Sequence, residues 1–423
     1  IVPLERLANL NTTTGVIPNF EVSALDVATT TSGGMAGDVT AASHVNTTYG
    51  LAQINATKVW QKFGSRGGGI DVAVLDTGVD PDHPDIKGKL EKFAAFEPDG
   101  DRKQGARPHD TNGHGTHVSA TVVGGNASGE YIGVAPNADL YHGLVLPDGS
   151  GTFAQVLAGM QWAVQSDAEV ISMSLGADGY VGAFIDPIRN AERAGVVVVA
   201  AIGNSGEGTS GSPGNIYDTL SVGASNINRN IASFSSGEEI NTSQAWGSAA
   251  PDDWPDTYIV PDIAAPGVRV KSAVPGGGYA EFSGTSMATP HVAGTVALML
   301  SVVENNPSPE MVMKALKQTA TRPAGANATR YGQGIIDAFA ATKALVANDN
   351  VSARLADQPR HVQPTKNGTI QFRTSNVQNV TVTLDVMRKP SGATFKRSAV
   401  TVYIEGKAAS LGETVSVSDG STD

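Results

Sequence analysis

Hydrophobic positions along the chain change their period twice, and the changes divide it into three parts. In the middle part, short apolar runs that read as buried strands alternate with segments of helical periodicity. Ile70-Asp71-Val72-Ala73-Val74-Leu75 is the first such strand and closes in Asp76-Thr77-Gly78. Further strands are expected at residues 138–146, 170–176 and 196–201, with helices at 56–63, 153–165, 185–194 and 309–319 and a last element at 335–346. That alternation predicts an α/β domain over residues 44–347. The apolar run from Val292 to Leu300 predicts a helix buried on most sides, with Pro290 in its first turn, where a missing N–H is tolerated.

The two ends follow other patterns. Residues 1–43 hold a candidate strand at 20–25 and then Thr29 to Gly37, a flexible stretch rich in Thr, Ser and Gly that reads as an accessible linker. This part is expected to be the end of a detachable leader. Residues 348–423 turn to period two at 369–373, 380–386 and 398–404, which predicts a small β-rich, sandwich-like extension.

Composition narrows the classes. A chain of 423 residues has ample material for a core, and its formal charge of -12 argues against nucleic acid as a partner. The absence of cysteine removes disulfides, thiol catalysis and cysteine-based metal sites. The apolar runs are too short to cross a bilayer, so no transmembrane segment is expected. The chain opens at Ile1 without methionine or a signal peptide, and an upstream segment is therefore expected.

Four places carry candidate chemistry. Asp76 falls at the C-terminal end of a strand, the edge of an α/β sheet where ligands bind, although an Asp before Thr-Gly also serves as a turn residue. His114 and His117 stand at a helix start, with glycines on both sides of His114. Their i, i+3 spacing admits a metal pair, but no Glu sits between them and no third ligand is obvious. Asn204 follows the strand at 196–201 and could be a turn residue or a side-chain donor to an oxyanion. Ser286 precedes the apolar helix, where a serine is either an N-cap or a nucleophile beside free N–H groups.

Taken in order, Asp76-Thr77-Gly78, His114-Gly115-Thr116-His117, Gly203-Asn204 and Gly284-Thr285-Ser286-Met287-Ala288-Thr289-Pro290 resemble the motifs of the subtilisin-like serine proteases, the subtilases. The resemblance runs from about Tyr49 to Ala338. It implies a mainly parallel β-sheet with helices on both faces, and a triad of Asp76, His114 and Ser286. It implies an oxyanion hole from Asn204 and the Ser286 N–H. No cofactor is expected for catalysis, and the partners expected are protein or peptide substrates and the chain's own propeptide as inhibitor.

By the same resemblance, Gly149-Ser150-Gly151 and Ser174-Leu175-Gly176 clamp a peptide as an added strand. Ser174, Gly203 and Gly211 line the pocket for the residue before the cut, and Glu207 is a candidate rim charge. With no acid assigned to the pocket base, large apolar residues are the expected preference. Structural calcium is a possibility at Asp85 and Asn126, although Ala127 stands where a side-chain ligand is usual. An insertion before Asp262, with Trp246 and Trp254, is expected to pack against the body. The expected protein is a secreted, self-processing serine endopeptidase. A processing protease or peptide ligase of the same fold is the alternative, and a surface-binding protein with a vestigial protease domain a more distant one.

Overall fold

The structure is a computed structural model that describes residues 18–25, 45–303 and 307–349, with six short strand segments beyond them. In chain order, β1 (Glu21–Ala24) is followed by α1 (Tyr49–Gln53), α2 (Ala56–Phe63), β2 (Asp71–Asp76), β3 (Leu90–Ala95), α3 (His114–Val123) and β4 (Asp139–Leu144). Next come β5 (Ser150–Thr152), α4 (Phe153–Gln165), β6 (Val170–Met173), β7 (Leu175–Asp178), α5 (Ile185–Arg193), β8 (Val197–Ala201), β9 (Gly211–Ser212) and β10 (Leu220–Ser225). The remainder is β11 (Glu238–Asn241), α6 (Thr242–Trp246), β12 (Thr257–Val260), β13 (Ile263–Pro266), β14 (Val270–Val274), β15 (Gly278–Phe282), α7 (Thr285–Leu300), α8 (Pro309–Thr319), α9 (Ala328–Tyr331) and α10 (Ala338–Asp349).

Seven strands form a parallel sheet in the order β13-β10-β8-β6-β2-β4-β3. Both faces are covered, which is why its strands are nearly unbroken apolar runs. Val72 and Val74 face one hydrophobic cluster with α3 and α7, while Ala73 and Leu75 face another with α4 and α5. Strand periodicity thus feeds two cores at once. The fold is the α/β architecture expected, with helices on both faces.

Two local departures from expectation shape the cleft. The apolar run 170–176 is not one strand: it breaks at Ser174, so that β6 stays in the large sheet while β7 joins a second sheet of order β5-β1-β7-β9. The other concerns Pro290, which sits within α7 rather than in its first turn. A proline there lacks the N–H that would bond to the carbonyl four residues back, which is that of Ser286. The Ser174 hydroxyl donates to that carbonyl instead, at 2.8 Å.

The insertion is a hairpin, β11 with β12, that carries α6 at its tip side. Trp246 and Trp254 are buried at 6% and 7% exposure, so the insertion folds against the body and not into solvent. By its contacts the chain forms two compact units, Ile1–Leu345 and Val346–Asp423. In the second, antiparallel pairs join Arg354–Leu355 to Ile370–Gln371, Asn379–Val380 to Val415–Ser416 and Val402–Ile404 to Lys407–Ala409. The expected sandwich otherwise lies outside the described residues.

Candidate active site

Asp76 is the last residue of β2, at the C-terminal edge of the parallel sheet, and is fully buried. Its Oδ1 accepts from the Thr77 N–H at 2.7 Å and from His114 Nδ1–H at 2.7 Å. His114 is the first residue of α3, and two glycines let it approach. A Cβ on Gly115 would stand 2.1 Å from the Gly78 carbonyl oxygen, and Gly78 itself has φ +122. Only residues without a side chain allow the helix start to sit on the turn after Asp76.

Burial disfavours the His114 cation, but the charge and hydrogen bond of Asp76, with a further contribution from Asp110, outweigh it and hold the imidazole above its ordinary value. His117, expected as a possible metal partner, is used otherwise. Its Nε2 faces the carbonyls of Val270 and Ala280, and burial first, then the neighbouring His114, push its pKa down to about 3.

Ser286 lies in the first turn of α7, whose residues from Thr285 to Met299 are all buried. The first N–H groups of a helix have no intrahelical acceptor, so the Ser286 N–H belongs to the set available to an anion. Asn204 Oδ1 accepts from the Thr285 N–H and hydroxyl, both at 2.9 Å. An obligate donor on that side fixes the oxygen there and turns the amide nitrogen the other way, toward Gly284. The Ser286 hydroxyl donates to the Ser174 carbonyl at 3.1 Å, and His114 Nε2 has no hydrogen-bond partner. The structure therefore makes the acid–imidazole pair and leaves the imidazole–hydroxyl bond unmade, and such catalytic bonds often tighten only in the reacting complex.

The two segments expected to clamp a peptide flank an occupied groove. β1 lies antiparallel between β5 and β7, with Val22 opposite Gly151, Ser23 opposite both Ser150 and Gly176, and Ala24 opposite Leu175. Val22 is fully buried, and Phe20 stacks on Phe153 with centroids 4.8 Å apart. Gly149 closes the turn into β5 at φ +101. Beyond β7, the Gly211 N–H donates to the Ile202 carbonyl next to Gly203, which brings both pocket glycines together. Glu207 turns away to accept from Asn327 at 3.1 Å.

Asp85, expected as a calcium ligand with Asn126, is engaged in hydrogen bonds. The Asp85 oxygens accept from the Ala127 N–H at 2.6 Å and the Tyr279 hydroxyl at 2.7 Å, while Asn126 is exposed. Calcium takes six to eight oxygen ligands, and among the described residues no group of three or more His, Asp or Glu could hold a metal. Asp85 closes the loop by hydrogen bonds instead.

Two residues near the site were not singled out from the sequence. Asp110 accepts from the Gly113 and Thr116 N–H groups, both at 2.8 Å, and so caps the helix that begins at His114. An acid just ahead of a helix start was its available signal. His142, inside β4, accepts from the Gly78 N–H at 3.1 Å and contacts the Ser119 hydroxyl at 3.0 Å, bracing the turn after Asp76. Burial lowers its pKa to about 4 against the pull of Asp76 and Asp110.

A buried carboxylate–imidazole pair, a serine in the first turn of a buried helix and an extended peptide groove beside it define a serine peptidase. Residues 67–334 match the subtilase family. The chain is 40% identical over 300 residues to alkaline elastase YaB of Bacillus sp. (strain YaB), covering 70% of each chain. It is 39% identical over 298 residues to subtilisin Savinase of Lederbergia lenta, covering 70% of this chain and 98% of the relative. With subtilisin E of Bacillus subtilis (strain 168) it shares 37% over 302 residues, 70% of this chain and 71% of the relative. The chain belongs to the subtilase family and is a serine endopeptidase.

Proposed function

We propose that Ser286 is the nucleophile of a secreted endopeptidase made as a zymogen, with His114 its general base and Asp76 the group that orients and charges the imidazole. A serine hydroxyl is a weak nucleophile, so its proton must pass to His114 Nε2 as Oγ attacks the peptide carbonyl. Rotation about the serine Cα–Cβ bond exchanges the Ser174 acceptor for that nitrogen. The oxyanion forms between the Asn204 amide and the Ser286 N–H, and His114 then returns its proton to the leaving amine. Water hydrolyses the acyl-enzyme by the same route. The observation that carries the assignment is the 2.7 Å Asp76–His114 bond, which leaves Nε2 as the only ring nitrogen open to a hydroxyl.

The leader acts in this reading as the first substrate and inhibitor. The register that sets Ser23 against Gly176 and Ala24 against Leu175 continues Leu25 to Ser174, the residue whose carbonyl faces Ser286 Oγ. From that register we assign the maturation bond to Leu25–Asp26, ahead of the linker, whereas the sequence alone places the leader's end at about residue 43. A leucine at that position agrees with a preference for large apolar residues, as does Glu207 being engaged with Asn327. Secretion belongs to the same reading through kinship with the alkaline elastase and subtilisins. No step of this reading uses a cofactor.

Intact mass spectrometry after fluorophosphonate treatment tests this. Wild type should carry one adduct and lose the mass of residues 1–25, and Ser286→Ala should do neither. A cut elsewhere overturns the bond assignment, and an adduct on the mutant overturns the nucleophile.

A further inference from the structure

The insertion at 238–260 bonds to residues 210–215, the turn that carries Gly211, and also meets the body through the Arg189–Asp253 pair and the Tyr180–Trp246 ring contact. Trp246 Nε1–H donates to the Tyr258 hydroxyl at 2.8 Å, which in turn donates to the Asn215 carbonyl at 2.8 Å. All this lies in a tight aromatic group: Trp246 is 5.6 Å from Trp254, and Tyr258 is 5.3 Å from Tyr217, centroid to centroid. Buried at 8% exposure, the Tyr258 hydroxyl must keep its partners, so the chain of two bonds is fixed in direction.

Asn215 passes the constraint on. Its amide donates to the Gly179 carbonyl at 2.9 Å and to Ser210 Oγ at 3.0 Å, and Ser212 Oγ donates to its oxygen at 2.7 Å. Ser212 Oγ also accepts from the Val181 N–H at 2.9 Å. These bonds tie the turn after Gly211, one of the residues assigned to the pocket for the residue before the cut, to the chain continuing from β7. A second line enters at the rim, where Ser210 Oγ donates to Glu238 Oε1 at 2.5 Å.

We infer that Tyr258, Trp246 and Glu238 are specificity-positioning residues: from outside the cleft they fix the pocket wall that selects the residue before the cut. The inference rests on the pocket assignment made above. None of the three touches substrate. They act through Asn215, Ser210 and Ser212, so loosening them should weaken discrimination among side chains that fill the pocket and leave the chemical step alone.

Kinetics on peptides differing only in Ala, Leu or Phe before the cut separate this from a merely structural role. Tyr258→Phe keeps the ring and removes both hydrogen bonds. KM for the Leu and Phe peptides should rise about fivefold, the worth of one net hydrogen bond, with kcat and the Ala peptide changed less than about twofold. Trp254→Phe is the control: it keeps an aromatic ring in the group, and the indole N–H it removes bonds to Asp218 at 3.0 Å, beyond the 210–215 stretch that carries Gly211. It should lower Tm and leave the Leu-to-Ala ratio intact. Glu238→Gln, on a half-buried side chain, reads the same wall if Tyr258→Phe does not fold, and should lower the ratio in the same direction. An unchanged ratio in the folded variants, or an equal change in Trp254→Phe, overturns the inference. Failure of wild type to cleave any of the peptides would instead remove the pocket reading beneath it.

Discussion

Asp76, His114 and Ser286 stand at the ends of β2, α3 and α7, elements built largely of core residues, whereas the proposed pocket wall at Gly211 is the two-residue strand β9 and the turn after it, braced from behind by an insertion. The reacting groups are held by the same packing that holds the sheet. Moving one of them would mean moving a buried helix or strand, and close-packed interiors resist that. The wall is held by a handful of hydrogen bonds and ring contacts, each worth little alone. In the proposed reading, chemistry is tied to the stable part of the fold, and selectivity to a part that can change without unfolding it.

The comparison can be broken most sharply at Asn204, a loop residue to which the proposed mechanism gives the oxyanion. Asn204→Leu should cost about 10²–10³ in kcat with KM little altered, a magnitude that comes from the equivalent donor in subtilisin itself. A loss confined to KM would move Asn204 from the reacting centre to the pocket.

A smaller effect sharpens the buried half. General-base action needs neutral His114, whose pKa lies above the ordinary 6.5 because Asp76 outweighs burial. The acid limb of kcat/KM should therefore fall tenfold per pH unit from a midpoint above 6.5. His142 and His291, held neutral at about 4 by burial, do not enter that limb. The sign for stability is opposite. A raised histidine pKa stabilises the fold fully below pH 6.5 and less as pH rises through the folded value, so activity grows as this contribution declines. A midpoint at or below 6.5 would mean that Asp76 does not charge the imidazole.

The smallest catalytic effect belongs to Asp85, buried like Asp76 but remote in function. Asp85→Ala strands the Ala127 N–H and the Tyr279 hydroxyl, and should lower Tm on the order of 5 °C while kcat/KM stays within about twofold. Chelator added to wild type should leave Tm in place; a fall would make Asp85 a calcium ligand after all.

Much of the fold was legible along the chain because both faces of the sheet are covered. Runs such as 70–75 and 196–201 are continuous apolar strands for that reason, and the helix at 153–165 appears where its pattern put it. The chemical residues were legible because each sits in a short motif at an element's end, where glycine permits close approach. Local sequence, in other words, determined the elements, while the parallel sheet and the identity of the candidate triad came from the resemblance of those motifs to the subtilases. It could not show that the run at 170–176 is shared between two sheets, since apolar periodicity does not say which neighbour a strand will pair with.

Only tertiary structure decided that β1 fills the cleft in one register, that Pro290 frees the Ser286 carbonyl for Ser174, and that Asp85 serves a loop. It also decided that the Trp246–Tyr258 relay ends on the pocket turn. The physical reason is common to all four. Each is a hydrogen-bond partnership between residues far apart in sequence, and hydrogen-bonding capacity is written in the residue type while the partner is chosen by where the packed core brings the backbone.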